Sequence, residues 1–379
     1  MTWHSDTRFK VAVAGGSLGG LAAGITLRAI GADVDIYELN AGRMETRGAG
    51  IVVQGDLMAL LRENGAPQLP MTSCSVRRYL DATGGDGATQ PMPQQFTSWE
   101  AIYLTLRQMF PDDRYHTGQQ IRPITSSDAG ITATLDGVTP LECDLLVAAD
   151  GANSRLRQAL LPEVTPQYAG YIAWRGTLDE ASAPAKLIGF FDDAFTFSEA
   201  RSGGHMLVYM IPGEGASIEP GGRRLNWVWY IQANKAELDR HLTDKQGRKH
   251  HTSLPQGAAA DDVVTELRSR AHAEVHPRMA ELVEATTDPF VQSIIDVVVP
   301  RTVFGRTILL GDAAFVVRPH TAGAVAKAAF DARILGAALG RAGSNVDAGL
   351  TVMQETQVEN GDGIVRYGIA LGQRWASSR

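Results

Sequence analysis

A run of glycines near the amino terminus has the residue types and spacing needed to bring the backbone close to a phosphate group. Residues 15–20 read GGSLGG, between a short apolar segment and a stretch rich in alanine and leucine. In the G-x-G-x-x-G fingerprint of dinucleotide-binding proteins, the second glycine lets the backbone approach the pyrophosphate. Ser17 stands at that position, where its small side chain still allows close approach and adds a hydroxyl donor. The helix predicted to follow would direct its positive amino-terminal end towards the phosphates.

An acidic residue stands where this fingerprint needs one. Glu38 lies eighteen residues after Gly20, at the end of the next predicted strand. A carboxylate there accepts hydrogen bonds from the ribose hydroxyls of a dinucleotide. The glycine run alone is degenerate and could be a simple turn, but the order strand, turn, helix, strand and acid favours a dinucleotide site. An NAD-linked dehydrogenase and a flavoprotein both fit this part of the chain.

Two later segments distinguish these classes because each places an acid at the end of a buried strand. Asp150 opens the segment DGANSRLR after residues 143–149, and Asp312 belongs to the segment GDAA after residues 307–310. A carboxylate at a strand end can bind a ribityl hydroxyl, and the amino terminus of the helix predicted at about 322–339 can face a polar ring edge. These segments therefore favour a flavoprotein.

The elements that must position these residues alternate between strand and helix. Residues 10–14 and 33–39 predict strands on either side of a helix at 21–30, which is a βαβ unit. Further buried strands are predicted at 143–149 and 307–310. This pattern predicts an α/β fold with a Rossmann-like domain.

Between these pieces lie short aromatic segments that favour a mixed β-sheet inserted into the first domain. The predicted strands of this sheet span residues 169–176, 185–197, 205–211 and 225–232. The predicted loops, which are polar or rich in Gly and Pro, span residues 81–95, 212–224 and 243–257. Residues 261–285 predict an amphipathic helix that is capped by Asp261 or Asp262 and broken near Pro277.

Composition and charge limit the class of protein further. The chain has 379 residues, of which 44% are hydrophobic and 20% charged, as expected for a globular protein of two domains or of one large discontinuous domain. Its net charge of −7 argues against a nucleic-acid partner. No run of about 18 apolar residues and no signal peptide is seen, so we expect a soluble, cytoplasmic protein without a membrane span. Cys74 and Cys143 cannot build a disulfide framework, and no His/Cys pattern indicates a metal site.

The three segments, in this order and at these spacings, resemble the FAD-dependent aromatic hydroxylases of the p-hydroxybenzoate hydroxylase type. The resemblance covers nearly the whole chain. Finer matches are similar to the 2,6-dihydroxypyridine 3-hydroxylase branch of that family, and they read YAGYIAWRG at residues 168–176, RYHT at 114–117 and RPH at 318–320. This chain departs from the family pattern at three positions near the flavin, where it has Trp99, Phe315 and Ala326.

The resemblance implies which part of FAD each cofactor-binding residue would contact. Gly15, Ser17, Gly20 and Glu38 would hold the adenosine half of FAD. Asp150 would lie near the pyrophosphate and the nicotinamide side, Asp312 would bind the ribityl and pyrophosphate groups, and residues 47–51 would form a loop beside the isoalloxazine. The implied FAD-binding residues are Gly15, Ser17, Leu18, Gly20, Glu38, Arg47, Gly50, Asp150, Asp312, Pro319, Gly323 and Ala324.

The resemblance also implies how the chain is divided. The discontinuous FAD-binding domain would comprise residues 1–75, 97–165 and 290–345, the substrate domain 76–96 and 166–289, and a C-terminal helical segment 346–379. The chain has no second glycine fingerprint, so NADH or NADPH would visit only as a transient co-substrate that reduces FAD, with O2 as the other co-substrate. The oligomeric state stays open, with a homodimer as one option.

Three side chains are candidates for the chemistry on the substrate. His320 follows the proline at the flavin edge, where related urate-type hydroxylases carry an acid/base aspartate, and a base of near-neutral pKa could deprotonate a ring hydroxyl. Its alternative role is a structural hydrogen bond to the backbone. Tyr209 and His205 share one predicted strand face and could line the pocket. The aromatic set Phe195, Tyr209, Trp227, Trp229 and Tyr230 falls on predicted strands, where aromatic residues usually belong to the core, but about half of the set could instead line that pocket.

We therefore expect a single-component, NAD(P)H-consuming FAD monooxygenase that hydroxylates a small hydroxylated N-heteroaromatic substrate, such as a hydroxypyridine, through a flavin C4a-hydroperoxide. One alternative is a flavin monooxygenase or oxidase that acts on another phenolic or purine-like ring. The other is a flavin-binding protein without turnover, which the departures at Trp99 and Ala326 leave open.

Overall fold

A computed structural model of the chain describes residues 9–42, 49–127, 130–343 and 345–377. Its first elements are β1 Lys10–Ala14, α1 Leu18–Ala29, β2 Asp33–Glu38, β3 Gly50–Val52, α2 Gly55–Glu63, β4 Thr72–Leu80, β5 Asp86–Ser98, α3 Trp99–Arg107, β6 Tyr115–Thr117, β7 Ile121–Ser127, β8 Gly130–Leu135, β9 Thr139–Leu141 and β10 Leu145–Ala148. The remaining elements are α4 Arg155–Leu160, β11 Gln167–Asp179, α5 Ala185–Phe191, β12 Ala194–Glu199, β13 His205–Ile211, β14 Arg224–Gln232, α6 Lys235–His241, α7 Asp261–Glu274, α8 Pro277–Ala285, β15 Phe290–Asp296, β16 Val303–Phe304, β17 Thr307–Leu309, α9 Ala324–Ala342 and α10 Val346–Ser377.

A six-stranded sheet holds the glycine run. Its strand order is β16-β17-β10-β1-β2-β6, and β1 pairs in parallel with both β2 and β10. All four residues of β10 are buried, as expected for a parallel strand covered on both faces. Helices α1 and α9 pack closely at Gly336, where an added Cβ would lie 2.3 Å from the Thr26 side chain. The carboxyl ends of β1, β10 and β17 therefore lie together at one edge.

The second sheet has eight strands and two different faces. Its order is β15-β11-β14-β13-β12-β4-β5-β3. On one face, Trp174, Trp227 and Trp229 pack in a hydrophobic core with apolar residues of α7 and α8. On the other face, Tyr209 and Tyr230 belong to a separate cluster that opens towards the six-stranded sheet. Strand alternation thus separates the core tryptophans from the tyrosines that face the cavity.

The predicted α/β fold with a Rossmann-like part, a mixed sheet and a C-terminal helix is confirmed. Three local predictions are wrong. The first half of 185–197 is helix α5, since a short apolar run with Leu187 and Phe191 four residues apart fits a helix as well as a strand. Most of the predicted loop at 81–95 belongs to β5, whose polar, proline-containing sequence matches its exposed position beside β4. The N-cap position of α7 is occupied by Ala260, which has no capping side chain, and Asp261 and Asp262 lie in the first turn of the helix.

Sheet membership crosses the predicted domain boundaries. Strands β3 and β15, from segments assigned by resemblance to the FAD-binding domain, pair within the eight-stranded sheet. The division into domains itself stays a prediction. No helix in the described part of the chain is long and apolar enough to cross a membrane.

Candidate active site

A cavity of about 790 Å³ separates the two sheets. One wall comes from the carboxyl ends of β1, β10 and β17 and the amino terminus of α9, and the other from the inner face of the eight-stranded sheet. Of the candidate residues, those that line it are Ser17, Leu18, Gly50, His205, Tyr209, Asp312, Pro319, His320 and Ala324. Gly15, Gly20, Glu38, Asp150 and Gly323 do not line it, and Arg47 lies outside the described residues.

The glycine run forms a tight turn that only glycine can make at two positions. Gly15 has φ +101°, and a Cβ there would lie 2.4 Å from the Ala149 carbonyl oxygen. A Cβ at Gly20 would lie 1.9 Å from the Gly15 carbonyl oxygen. Ser17 is the N-cap of α1, but no described side chain caps this helix and its first turn has no acid. The amide groups at this end of α1 therefore face the cavity and suit an anionic phosphate.

Glu38 supports this turn from behind. Its carboxylate is buried and accepts hydrogen bonds from the amides of Gly16, at 2.8 Å, and Asn40, at 2.9 Å. The Asn40 side chain donates a third hydrogen bond to it. A carboxylate has about four acceptor positions, so capacity for a ribose hydroxyl remains. The turn, the free helix end and this carboxylate fit the adenosine half of a dinucleotide.

Asp150, expected near the pyrophosphate, makes its hydrogen bonds with the start of helix α4. Its carboxylate accepts hydrogen bonds from the Ser154 hydroxyl and from the amides of Arg155, at 2.9 Å, and Leu156, at 3.3 Å. It therefore caps the amino terminus of α4, and burial raises its pKa. The next two residues, Gly151 and Ala152, line the cavity instead.

Asp312 lies at the end of β17, where it lines the cavity. Burial raises its pKa, and the positive charges of Lys327 and Arg157 oppose that rise. Arg157 is buried and donates to the Ala313 carbonyl at 3.1 Å, while the Asp331 carboxylate accepts from the Gly311 amide at 3.0 Å. The turn that carries Asp312 is thus held from both sides. Its carboxylate is placed to meet a polyhydroxyl chain.

His320 faces the cavity and also makes the backbone contact of its alternative role. Its Nε2 lies 2.8 Å from the Gly368 carbonyl oxygen on α10, and its Nδ1 lies 3.4 Å from the Tyr171 hydroxyl. Because a carbonyl oxygen only accepts, Nε2 carries the hydrogen and Nδ1 is the basic atom. Burial lowers the pKa of His320, so its imidazole is neutral near pH 7 and can accept a proton.

His205 and Tyr209 share one face of β13, as their spacing predicts. Burial, together with the nearby charge of protonated His320, lowers the pKa of His205 to about 3. Burial raises the pKa of Tyr209, which stacks on Phe96 at 4.4 Å. His205 therefore stays neutral and Tyr209 stays protonated across the physiological range. Phe195 and Tyr230 also line the cavity, whereas Trp227 and Trp229 lie in the core.

Sequence reasoning missed several residues of the cavity. Arg175, Arg77 and Gln54 line it, and Gln54 donates to the Ala322 carbonyl at 2.8 Å, which ties α2 to the loop before α9. The signal for Arg175 was available in strand alternation, because its neighbour Trp174 packs in the core and adjacent residues of a strand point to opposite faces.

The three departures from the family pattern have different surroundings. Trp99 lines the cavity and stacks on Tyr103 at 5.1 Å. Phe315 is fully buried against α10, where a Cβ added at Gly361 would meet its ring at 2.4 Å. Ala326 is buried within α9. Trp99 is thus the departure that meets the cavity directly.

Among the described residues, no group of three or more His, Cys, Asp or Glu side chains could hold a metal ion.

A family model described as "FAD binding domain-like" matches residues 168–296. The chain is 35% identical over 335 residues to 2,6-dihydroxypyridine 3-monooxygenase of Paenarthrobacter nicotinovorans, covering 87% of this chain and 83% of that protein. It is 28% identical to 6-hydroxynicotinate 3-monooxygenase of Pseudomonas fluorescens, covering 89% and 84%. The solved structure of 2,6-dihydroxypyridine-3-hydroxylase from Arthrobacter nicotinovorans matches with a TM-score of 0.90 at 32% identity, covering 98% of this chain and 93% of that one.

Proposed function

Because this chain belongs to the FAD-dependent aromatic monooxygenases, we propose that it hydroxylates a small hydroxylated N-heteroaromatic ring, a hydroxypyridine. FAD is its cofactor, and NAD(P)H and O2 are the co-substrates of this type of enzyme. The observation that carries the proposal is the cavity, in which a cleft suited to a dinucleotide opens onto an aromatic wall with His205, Tyr209 and His320. The names of the two relatives support the same ring class.

The residues that line the cavity suit the pyrophosphate, ribityl and isoalloxazine parts of FAD, and Glu38 lies directly behind the turn at the pyrophosphate end. The end of α1 with Ser17 and Leu18 would hold the pyrophosphate, and Glu38 would accept from the adenosine ribose. Asp312 would accept from the ribityl chain. The amino terminus of α9, which has no side-chain cap among the described residues, would face the isoalloxazine edge beside Pro319 and Ala324.

Bound FAD would supply the oxygen-activating chemistry, and the protein would supply a dry, shaped pocket around the ring. The pocket wall includes Leu207, Val228, Val316 and Val317, whose side chains are hydrocarbon. Such a wall excludes water and limits unproductive loss of the activated oxygen. The substrate ring would lie against the inner face of the eight-stranded sheet, beside Tyr209.

His320 would accept the proton of the ring hydroxyl at Nδ1, with that hydroxyl taking the place of the Tyr171 hydroxyl that lies 3.4 Å from this atom. Its Nε2 is held by the Gly368 carbonyl, so the orientation and tautomer of the ring are set before substrate binds. A hydroxyl that loses its proton makes the ring richer in electrons and a better acceptor of an electrophilic oxygen. His205 and Tyr209, which do not titrate near neutral pH, would position the ring through hydrogen bonds.

The test is consumption of NADH and NADPH by the purified, FAD-loaded protein with a panel of hydroxypyridines, phenols and purines. Hydroxylated product in proportion to reductant consumed, with a hydroxypyridine as the best substrate, supports the proposal. Hydrogen peroxide without product for every ring contradicts it and favours an oxidase. No consumption with any ring also contradicts it and favours a flavin-binding protein without turnover. The Gly15→Ala variant, whose added Cβ would lie 2.4 Å from the Ala149 carbonyl oxygen, should purify without FAD and controls for background oxidation.

A further inference from the structure

The substrate side of the cavity carries two guanidinium groups whose charges are not balanced by a nearby acid. Arg77 on β4 and Arg175 on β11 both line the cavity. In the described part of the chain, neither forms an ion pair with a carboxylate, and the Nε atom of each is buried without a hydrogen-bond partner. Asp312 is the one acid among the described lining residues, and it lies near Lys327 and Arg157. The substrate end of the cavity is therefore cationic.

The two arginines belong to strands that are four positions apart in the eight-stranded sheet. Arg175 pairs across the sheet with Val228, which pairs with Leu207, which pairs with Phe197 on β12. Arg77 lies one strand further, beside β12. Four strand spacings of about 4.8 Å place the two backbones roughly 19 Å apart. The two arginines therefore enter the pocket floor from strands four apart in the sheet.

Arg77 is already engaged by its surroundings. Its Nη2 donates to the Gln94 side chain at 3.0 Å, and its guanidinium lies 5.5 Å from the Phe195 ring centre and 5.3 Å from that of Phe197. Cation–π contacts of this kind satisfy part of its charge. Arg175 has no such ring contact in the described part of the chain, and its charge opposes the rise that burial causes in the pKa values of Tyr230 and Tyr209. Its guanidinium is therefore less engaged by its surroundings than that of Arg77, and it lines the cavity.

Arg175 also lies on the chemically active side of the pocket. Tyr230 contacts the His205 ring at a centroid distance of 4.9 Å and the His320 ring at 6.0 Å. A ring substituent held by Arg175 would therefore place the substrate beside both imidazoles. The planar guanidinium presents paired donors that match an oxyanion or a carboxylate.

We propose that Arg175 binds a negatively charged oxygen of the aromatic substrate, so that the enzyme selects rings that carry an anionic substituent. This inference rests on the proposed hydroxylase function and names its substrate class. The anionic oxygen has two sources, a deprotonated ring hydroxyl or a carboxylate on the ring. Arg175 is thus a specificity-determining residue, while Arg77 enters the floor from a different strand.

The experiment measures ligand affinity through the absorbance change of the oxidised, FAD-loaded enzyme, so it needs no turnover. The probes are 2,6-dihydroxypyridine, 6-hydroxynicotinate and 2,6-dimethoxypyridine, which cannot ionise by losing a hydroxyl proton. Arg175→Gln should weaken an anionic probe by roughly 10–100-fold, as expected for a charge-assisted hydrogen bond, and leave the dimethoxy probe within about threefold. Arg175→Lys should recover part of the affinity for the anionic probe, because lysine keeps the positive charge but lacks the paired donors of the planar guanidinium.

Arg77→Gln is the matched control, since it removes the same charge from a different strand that lines the same cavity. It should weaken the anionic probes much less than Arg175→Gln does. Dependence of 2,6-dihydroxypyridine on Arg175 identifies the ring oxyanion as the source, and dependence of 6-hydroxynicotinate alone identifies the carboxylate. Equal weakening of the neutral probe, or an equal effect of Arg77→Gln, overturns the inference. Failure of the hydroxylase proposal would appear separately, as absence of product in the wild-type turnover assay.

Discussion

Burial of His205 should make the protein measurably less stable in mild acid. The pKa of this imidazole is lowered from its ordinary 6.5 to about 3 in the folded chain. Below pH 6.5 the unfolded chain therefore binds a proton that the folded chain does not, and stability falls as the pH falls. At about pH 5, the interval of ~1.5 pH units below 6.5, at ~1.36 kcal/mol per unit, corresponds to ~2 kcal/mol of lost unfolding free energy.

The assay is urea unfolding of the wild-type protein and the His205→Gln variant at about pH 7 and about pH 5. Glutamine keeps a polar side chain of similar reach and does not titrate. His320 and His241, whose pKa values are also lowered by burial, contribute equally to both proteins. The fall in unfolding free energy between the two pH values should be smaller in the variant by about 2 kcal/mol. An equal fall in both proteins would refute the reasoning that His205 is buried in its neutral form.

Three further predictions concern the cofactor cleft and the base. His320→Gln keeps a donor for the Gly368 carbonyl but removes the basic Nδ1, so the protein should keep its FAD while product formation falls by roughly 10²–10⁴-fold. The loss should be smaller at high pH, where the ring hydroxyl ionises unaided, and a wild-type rate would assign His320 a structural role. Glu38→Ala should weaken FAD binding about 10–100-fold in an equilibrium titration and Asp312→Ala at least as much, and unchanged affinity in both would contradict the site assignment. Gly15→Ala should purify without FAD, because its Cβ would meet the Ala149 carbonyl at 2.4 Å, and a yellow variant would count against the turn geometry.

Features that depend on a few neighbouring residues could be predicted from the sequence. The strand at 10–14, the helix after Ser17 and the strand ending at Glu38 lie within a few residues of their predicted bounds. The positive φ of Gly15 explains why this position needs glycine. The shared face of His205 and Tyr209 follows from the two-residue period of a strand.

Local patterns also produced the errors. The segment at 185–191 is apolar and short, and such a run is compatible with a strand or a helix until its packing is known. The polar segment at 86–98 forms a strand because β4 offers it a pairing partner, which no local propensity encodes. Asp150 is not one of these errors: it has the predicted position at a strand end, the amides of α4 donate to its carboxylate, and its role at the cofactor stays a prediction.

The sequence by itself determined the α/β architecture, the glycine turn with its acid and the membership in the FAD-dependent monooxygenase family, because each depends on residue type at short spacing or on order along the chain. Only the tertiary structure decided which side chains meet. Tyr171, His205, Tyr230 and His320 come from three strands and a loop, and their contacts depend on sheet register. The unbalanced charge of Arg175 is likewise a property of its neighbours. Burial and long-range pairing set the proton affinities and the charge of the pocket, and both arise only when the two sheets close around the cavity.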